Sequence, residues 1–448
     1  MKARDREHAK GEARKLSASH YHLACPLCGR VFDDSPVEFL LSCPEPHPPA
    51  LLKAVYRQKR MVAHPDQTGV FRFSDWLPIR RRLSGAPGPV VYRSTGLGSL
   101  LGLKNLFIIF NGFWPEKGAF METCTFKELE AQAVCGRVAE DWESCLVVSS
   151  AGNTARAFLQ ACSRYDVSAL VVVPGHSLPL LWSLEQPKAS VRLAVLEGEA
   201  DYSDAIALGN GIANIEGYYS EGGAKNAARR DGMGTAFLHM VEEAGQVPHH
   251  YFQAVGSGTG AIAAWEMNQR LLEDGRFGTR KARLHLAQNA PFTPLVDAWE
   301  AGSRTIAGTD ETSARKKVRS IRAQVLANRN PPYALAGGLH DALRDTGGYM
   351  YRVTNEDSIR AGQLFARHES CDIDPAAEVA VASLLQARSA GRIQSEDIVA
   401  LNITGGGRGK LEASRSIHRL TPDIRFSLAD LGHKEPASRI RELMEAAG

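Results

Sequence analysis

Five short stretches of this 448-residue chain hold side chains in combinations that can do chemistry. Lys127, in Thr125-Phe126-Lys127-Glu128-Leu129-Glu130-Ala131, puts a primary amine near a helix start, where the positive end of the dipole opposes it. Such a lysine is either a solvated surface group or one kept for a chemical role. Ser149-Ser150-Ala151-Gly152-Asn153-Thr154-Ala155 crowds hydroxyl, amide and backbone donors into one turn, which can cap a helix or hold a ligand. Gly256-Ser257-Gly258-Thr259-Gly260 lets backbone N–H groups approach an anion at a helix N-terminus. It has neither the Lys-Ser/Thr pair of a P-loop nor Gly-x-Gly-x-x-Gly spacing, so a phosphate cradle other than a nucleotide site, or a structural turn, is the reading. Asn402-Ile403-Thr404-Gly405-Gly406-Gly407 sets a hydroxyl between an apolar run and flexible glycines, as a ligand group or an ordinary turn. Cys25-Pro26-Leu27-Cys28, followed by Cys43 and His47, could supply four tetrahedral zinc ligands. A second Cys-x-x-Cys pair is missing, so a metal-free small subdomain is expected ahead of zinc.

These groups need elements that bring them together. Apolar runs at 106–110, 146–149, 169–173, 191–195, 251–255 and 283–287 read as strands. Amphipathic stretches at 125–138, 154–163, 202–207, 235–243, 261–272 and 376–387 read as helices, the last with Asp374 as N-cap and Pro375 at its first position. Strands alternating with helices predict an α/β protein with mostly parallel sheets covered on both faces. In such sheets ligands sit at the carboxyl ends of the strands, where Lys127, Ser149–Thr154, Gly256–Gly260 and Thr404 are expected. Residues 1–20 read as a mobile basic tail and 21–85 as an extension with a small Cys-containing β-ribbon. The Ser-Gly-Ala-Pro-Gly-Pro-Val stretch at 84–90 marks the entry to the body. There, 86–129 and 246–448 are expected to form a large domain and 130–245 a smaller α/β one.

The order of the motifs resembles that of fold-type II pyridoxal-phosphate enzymes, and more narrowly the threonine synthase family. Leu101-Gly102-Leu103-Lys104-Asn105-Leu106, Ser220-Glu221-Gly222-Gly223-Ala224-Lys225-Asn226 and Arg229-Arg230-Asp231-Gly232-Met233-Gly234-Thr235 are similar to family segments, and the likeness runs from about 20 to 410. Phe113-Trp114-Pro115-Glu116-Lys117-Gly118-Ala119-Phe120-Met121-Glu122-Thr123-Cys124-Thr125-Phe126-Lys127-Glu128 departs from threonine synthase and resembles the cysteate synthase branch. The resemblance implies a tryptophan-synthase-β-like fold of two open twisted sheets. It implies that Lys127 carries pyridoxal phosphate as an aldimine, Asn153 bonds the 3′-oxygen, Gly256, Ser257, Gly258, Thr259 and Gly260 hold the phosphate, and Thr404 faces the pyridine nitrogen. The implied reaction is replacement of the phosphate of O-phospho-L-serine by sulfite, through an aminoacrylate, to give L-cysteate for coenzyme M synthesis. Candidate donors to the two anions are Ser149, Ser150, Thr154, Lys104, Lys225, Arg229 and Arg230. The rival within the fold is threonine synthesis from O-phosphohomoserine; outside it, a non-catalytic ligand-binding or zinc-ribbon interaction protein. Relatives of this kind commonly self-associate, so a homo-oligomer is expected.

Composition bounds these readings. The net charge of +3 comes from 53 basic and 50 acidic residues. Six basic and three acidic ones lie within residues 1–20, which leaves 47 of each sign beyond them. The body therefore has no basic excess to attract nucleic acid. No apolar run approaches the ~18 residues of a membrane span, and no signal-peptide pattern is visible, so a cytoplasmic enzyme is expected. Eight cysteines in a chain this long read as reduced thiols.

Overall fold

The computed structural model describes residues 20–35, 38–150, 152–308, 310–431, 438 and 440–442. The predicted tail at 1–20 lies, apart from His20, outside the described residues.

Three short antiparallel strands open the described chain: β1 (Tyr21–Ala24), β2 (Val31–Phe32) and β3 (Lys53–Tyr56), in the order β2-β1-β3. Next come β4 (Val90–Arg93) and β5 (Asn105–Phe110), and then helix α1 (Lys127–Arg137), which begins on the predicted lysine. The chain continues through β6 (Cys145–Ser149), α2 (Asn153–Arg164), β7 (Ala169–Pro174), β8 (Val191–Leu196), α3 (Tyr202–Ile212), β9 (Tyr218–Ser220) and α4 (Ala227–Ala244). It returns through β10 (His250–Ala254), α5 (Thr259–Asp274), β11 (Arg283–Asn289), β12 (Tyr349–Val353), α6 (Pro375–Ser389), β13 (Ile398–Ile403) and β14 (Ile424–Phe426).

Two main sheets result. The six-stranded sheet runs β12-β11-β10-β13-β5-β4, parallel except for the β4–β5 pair. The five-stranded sheet runs β9-β6-β7-β8-β14, parallel throughout. The central strands β7 (Ala-Leu-Val-Val-Val-Pro) and β13 (Ile-Val-Ala-Leu-Asn-Ile) are buried at every residue, as parallel strands covered on both faces must be.

Two readings need correction. Helix α4 starts at Ala227, eight residues before the predicted 235. Its first turns carry Arg229, Arg230 and Asp231, yet all three are buried and paired, so charge concealed a core helix. The large domain was expected to hold everything from 246 onward, but β14 pairs with β8 and extends the smaller sheet. Asp374 is the N-cap of α6 as expected, with Pro375 at the first position and the Asp374 C=O accepting from Glu378 N–H at 3.0 Å, but its side chain makes no cap hydrogen bond. Its carboxylate turns instead toward Gly405, where an added Cβ would sit 2.5 Å from Oδ2.

Candidate active site

Three parallel strands end at one cavity. Ser150 follows β6, Gly256–Gly260 follows β10 and Thr404 follows β13, and all of these residues line a cleft of about 880 Å³. Three helices start at the same place: α1 with Lys127, α2 with Asn153 and Thr154, and α5 with Thr259. The lysine and the Thr404 turn, 277 residues apart, are laced together by main-chain bonds. Phe126 N–H donates to Thr404 C=O at 3.0 Å, and Gly406 N–H to Cys124 C=O at 3.1 Å. Cys124 takes φ = 55° to make this turn, a left-handed conformation that costs a non-glycine residue on the order of 1 kcal/mol. Beside it, the Glu128 carboxylate reaches back to accept from Thr123 Oγ1 at 2.7 Å and from its N–H, which ties the start of α1 to the loop before it.

The glycine loop is shaped by its surroundings. A Cβ on Gly256 would lie 2.9 Å from the Leu326 carbonyl, and one on Gly258, at φ = +77°, would lie 2.6 Å from Leu339. The N–H groups of Gly256, Ser257 and Gly258 donate to no described residue. They are unsatisfied donors at the N-terminus of a 16-residue helix, which suits an anion with several acceptor oxygens.

The substrate-donor candidates divide. Ser150, Thr154 and Arg229 line the cavity. Ser150 Oγ also accepts from Gly152 and Ala155 N–H, so it serves the helix start as well. Four others are elsewhere. Lys104 lies at the amino end of β5, away from the carboxyl-end cavity, and pairs with Glu396 at 2.6 Å. Lys225 is exposed at the end of a short 3-10 turn. The Ser149 hydroxyl meets Gly209 of α3. Arg230 is buried against Glu266 at 3.0 Å and bonds the Leu52 carbonyl, so it clamps the N-terminal extension to the body.

Charge in the cavity is arranged around a group that sequence reading passed over. Glu130, one helical turn after Lys127, is completely buried. Its Oε2 accepts from Lys127 Nζ at 3.2 Å, and its Oε1 from Arg229 and Thr154, each at 2.8 Å. Arg229 also pairs with Glu221 at 3.3 Å. Burial holds the Lys127 amine below the usual lysine range, against the opposing pull of Glu130. Burial acts to raise Glu130, but Arg229 and Lys127 hold it below its ordinary value, whereas Glu221 is raised by burial. The i,i+3 Lys–Glu spacing was the available signal for Glu130, though it also describes any solvated helix face. Residues 324–328, which line the cavity beside Gly152 and Gly256, had no sequence signal.

The comparisons agree with this geometry. Residues 110–405 match the family described as pyridoxal-phosphate dependent enzyme. The chain is 48% identical over 406 residues to cysteate synthase of Methanoculleus marisnigri, covering 90% of this chain and 93% of that one. It is 44% identical over 414 residues to cysteate synthase of Methanosarcina acetivorans, covering 92% and 98%. This chain belongs to the cysteate synthase family. Among solved structures, diaminopropionate ammonia lyase from Escherichia coli shares the fold at TM-score 0.54 and 14% identity, over 73% of this chain and 87% of that one. A fungal L-serine ammonia-lyase from Rhizomucor miehei does so at TM-score 0.53 and 14% identity, over 74% and 98%. The expected fold-type II architecture is therefore the observed one.

As a member of the cysteate synthase family the chain is an enzyme, and its cofactor is pyridoxal phosphate. The residues present fit that group: unsatisfied N–H donors for a phosphate, a half-buried amine within the same cavity, and the amide of Asn153 and hydroxyl of Thr404 on its walls. No helix among the described residues is long and apolar enough to cross a membrane.

Proposed function

We propose that the enzyme replaces the phosphate of O-phospho-L-serine with sulfite, yielding L-cysteate and inorganic phosphate, the C2 sulfonate chemistry expected of coenzyme M synthesis. At Cβ a C–O bond breaks, its electron pair leaving with phosphate, and a C–S bond forms from the sulfur lone pair of sulfite. The observation that carries this reading is the cavity itself, with Lys127, Ser150, Thr154 and Arg229 around one space, in a chain 48% identical to a cysteate synthase.

Pyridoxal phosphate, when bound, withdraws electrons from the substrate α-carbon. Lys127 is the residue to hold the cofactor and, once free, to take the α-proton and later return it. A base working near neutrality needs an amine below the ordinary lysine range, and burial supplies that. Glu130 fixes the direction of that amine. Asn153 and Thr404 orient the ring, and Gly256 to Gly260 hold its phosphate. Arg229, Ser150 and Thr154 are the donors best placed for the substrate's own anions, whereas Lys104, Lys225, Ser149 and Arg230 lie apart from the cavity.

Labelled sulfite with O-phospho-L-serine should give labelled cysteate and one phosphate per turnover. Lys127→Ala should lose both this product and the visible absorbance of the bound cofactor. Threonine from O-phosphohomoserine, with no cysteate from phosphoserine, would overturn the assignment.

A further inference from the structure

The N-terminal ribbon holds the sequence motif that the reaction leaves unused. Cys25, Cys28 and Cys43 are free thiols, and their sulfurs and a ring nitrogen of His47 lie within 4.8 Å of one another. We propose that these four residues bind one zinc ion as a closed structural site that fastens the ribbon.

Tetrahedral zinc with bonds of about 2.3 Å to sulfur and 2.0–2.1 Å to nitrogen requires about 3.7 Å between two thiolates and about 3.5 Å between thiolate and imidazole. The Cys28–Cys43 separation is 3.7 Å, and Cys25 Sγ to His47 Nε2 is 3.3 Å. Two edges of the required tetrahedron are thus already formed. The histidine is oriented as a ligand. Its Nδ1 lies 2.7 Å from the Pro48 carbonyl, so Nδ1 carries the hydrogen and the lone pair is on Nε2, the atom that faces the sulfurs. The Cys-x-x-Cys turn is closed by Gly29 N–H on Cys25 C=O and by Cys25 N–H on Arg30 C=O, with Gly29 at φ = +70°. Arg30 and Glu45 join the two ligand loops again by an ion pair at 2.5 Å. Four protein donors leave no open position, which makes the site structural.

The ribbon needs such a tie. Its strands are two to four residues long, too short to hold a sheet alone. It also has contacts to keep on the body. Between the cysteines, Pro26 packs near Gly337, and Leu51 N–H donates to Ala336 C=O at 2.9 Å. Asp34, just past β2, is paired with Arg137 at the end of the lysine helix.

Elemental analysis of full-length holoenzyme, purified without chelator and dialysed against zinc, should find about one zinc per chain. Cys28→Ser and Cys43→Ser should each lose it, whereas His47→Cys, which keeps four donors, should retain it. If the serine variants fail to fold, a mercurial titration of the wild type decides: zinc should leave in step with about three thiols. Wild-type protein holding less than about 0.1 zinc, zinc retained by both serine variants, or release unlinked to thiol modification would each overturn the proposal.

Discussion

At the scale of single residues, the amine proposed as catalytic is defined by what surrounds it more than by its own type. Glu130 favours the charged form of Lys127, while burial disfavours it, and burial prevails. Glu130→Gln should therefore lower the Lys127 pKa further in the cofactor-free protein, read from the pH dependence of amine methylation; an upward shift would contradict the pairing. Glu128 provides a second titration. Burial, opposed by hydrogen bonds from Thr123, pushes its carboxyl up to about 7 from an ordinary 4.5. The folded state thus binds this proton more tightly than the unfolded one, so its stabilising contribution is complete below 4.5 and lost as pH rises through about 7. Glu128→Gln, which can still accept from Thr123, should flatten that part of the stability curve in urea titrations between about pH 5 and 8. At this scale Lys127, Asn153, Thr404 and the glycine loop were legible because each couples an unusual residue to a turn. Glu130 and Glu221 were not, because a carboxylate on a helix or after a strand looks the same in sequence whether it faces water or a buried arginine.

At the scale of elements, the starts of α1, α2 and α5 meet at one cavity, and glycines let two of them approach their neighbours. Gly258→Ala combines a left-handed backbone with a contact 2.6 Å from Leu339. It should weaken cofactor retention by about tenfold or more, measured by titrating cofactor into the stripped enzyme. The other end of α1 rests on the ribbon, where Arg137 and Asp34 are buried together. Asp34→Ala strands that guanidinium and should cost about 3–5 kcal/mol in chemical denaturation. The six strands read from apolar runs, β5, β6, β7, β8, β10 and β11, lie within a residue or two of those runs, whereas β4, β9, β12 and β14 have too short or mixed a run to stand out. The start of α4 was not legible, because Arg229, Arg230 and Asp231 break the periodicity that marks a helix with one wet face.

At the scale of the whole molecule, the excess positive charge lies within residues 1–20 and the rest is balanced. Anions must then be recognised by local donors and not drawn in by a broad field. The kcat/KM for phosphoserine should change less than about threefold between low salt and ~0.2 M sodium chloride; a steep fall would reveal a field that composition conceals. The parallel α/β class followed from the alternation of strands and helices. The return of β14 to the smaller sheet did not, since pairing over more than 200 residues leaves no local trace.

The position of β13 has a consequence for how the enzyme is made. This strand, residues 398–403, lies between β5 and β10 in the six-stranded sheet, and its turn is laced to the loop before Lys127. A growing chain that has emerged only as far as residue 390 already holds the lysine, the asparagine and the glycine loop, yet it lacks the strand that makes β5 and β10 neighbours in one sheet. The lysine loop and the glycine loop are thus joined through β13, and a chain that lacks this strand offers no assembled pocket to a reactive aldehyde.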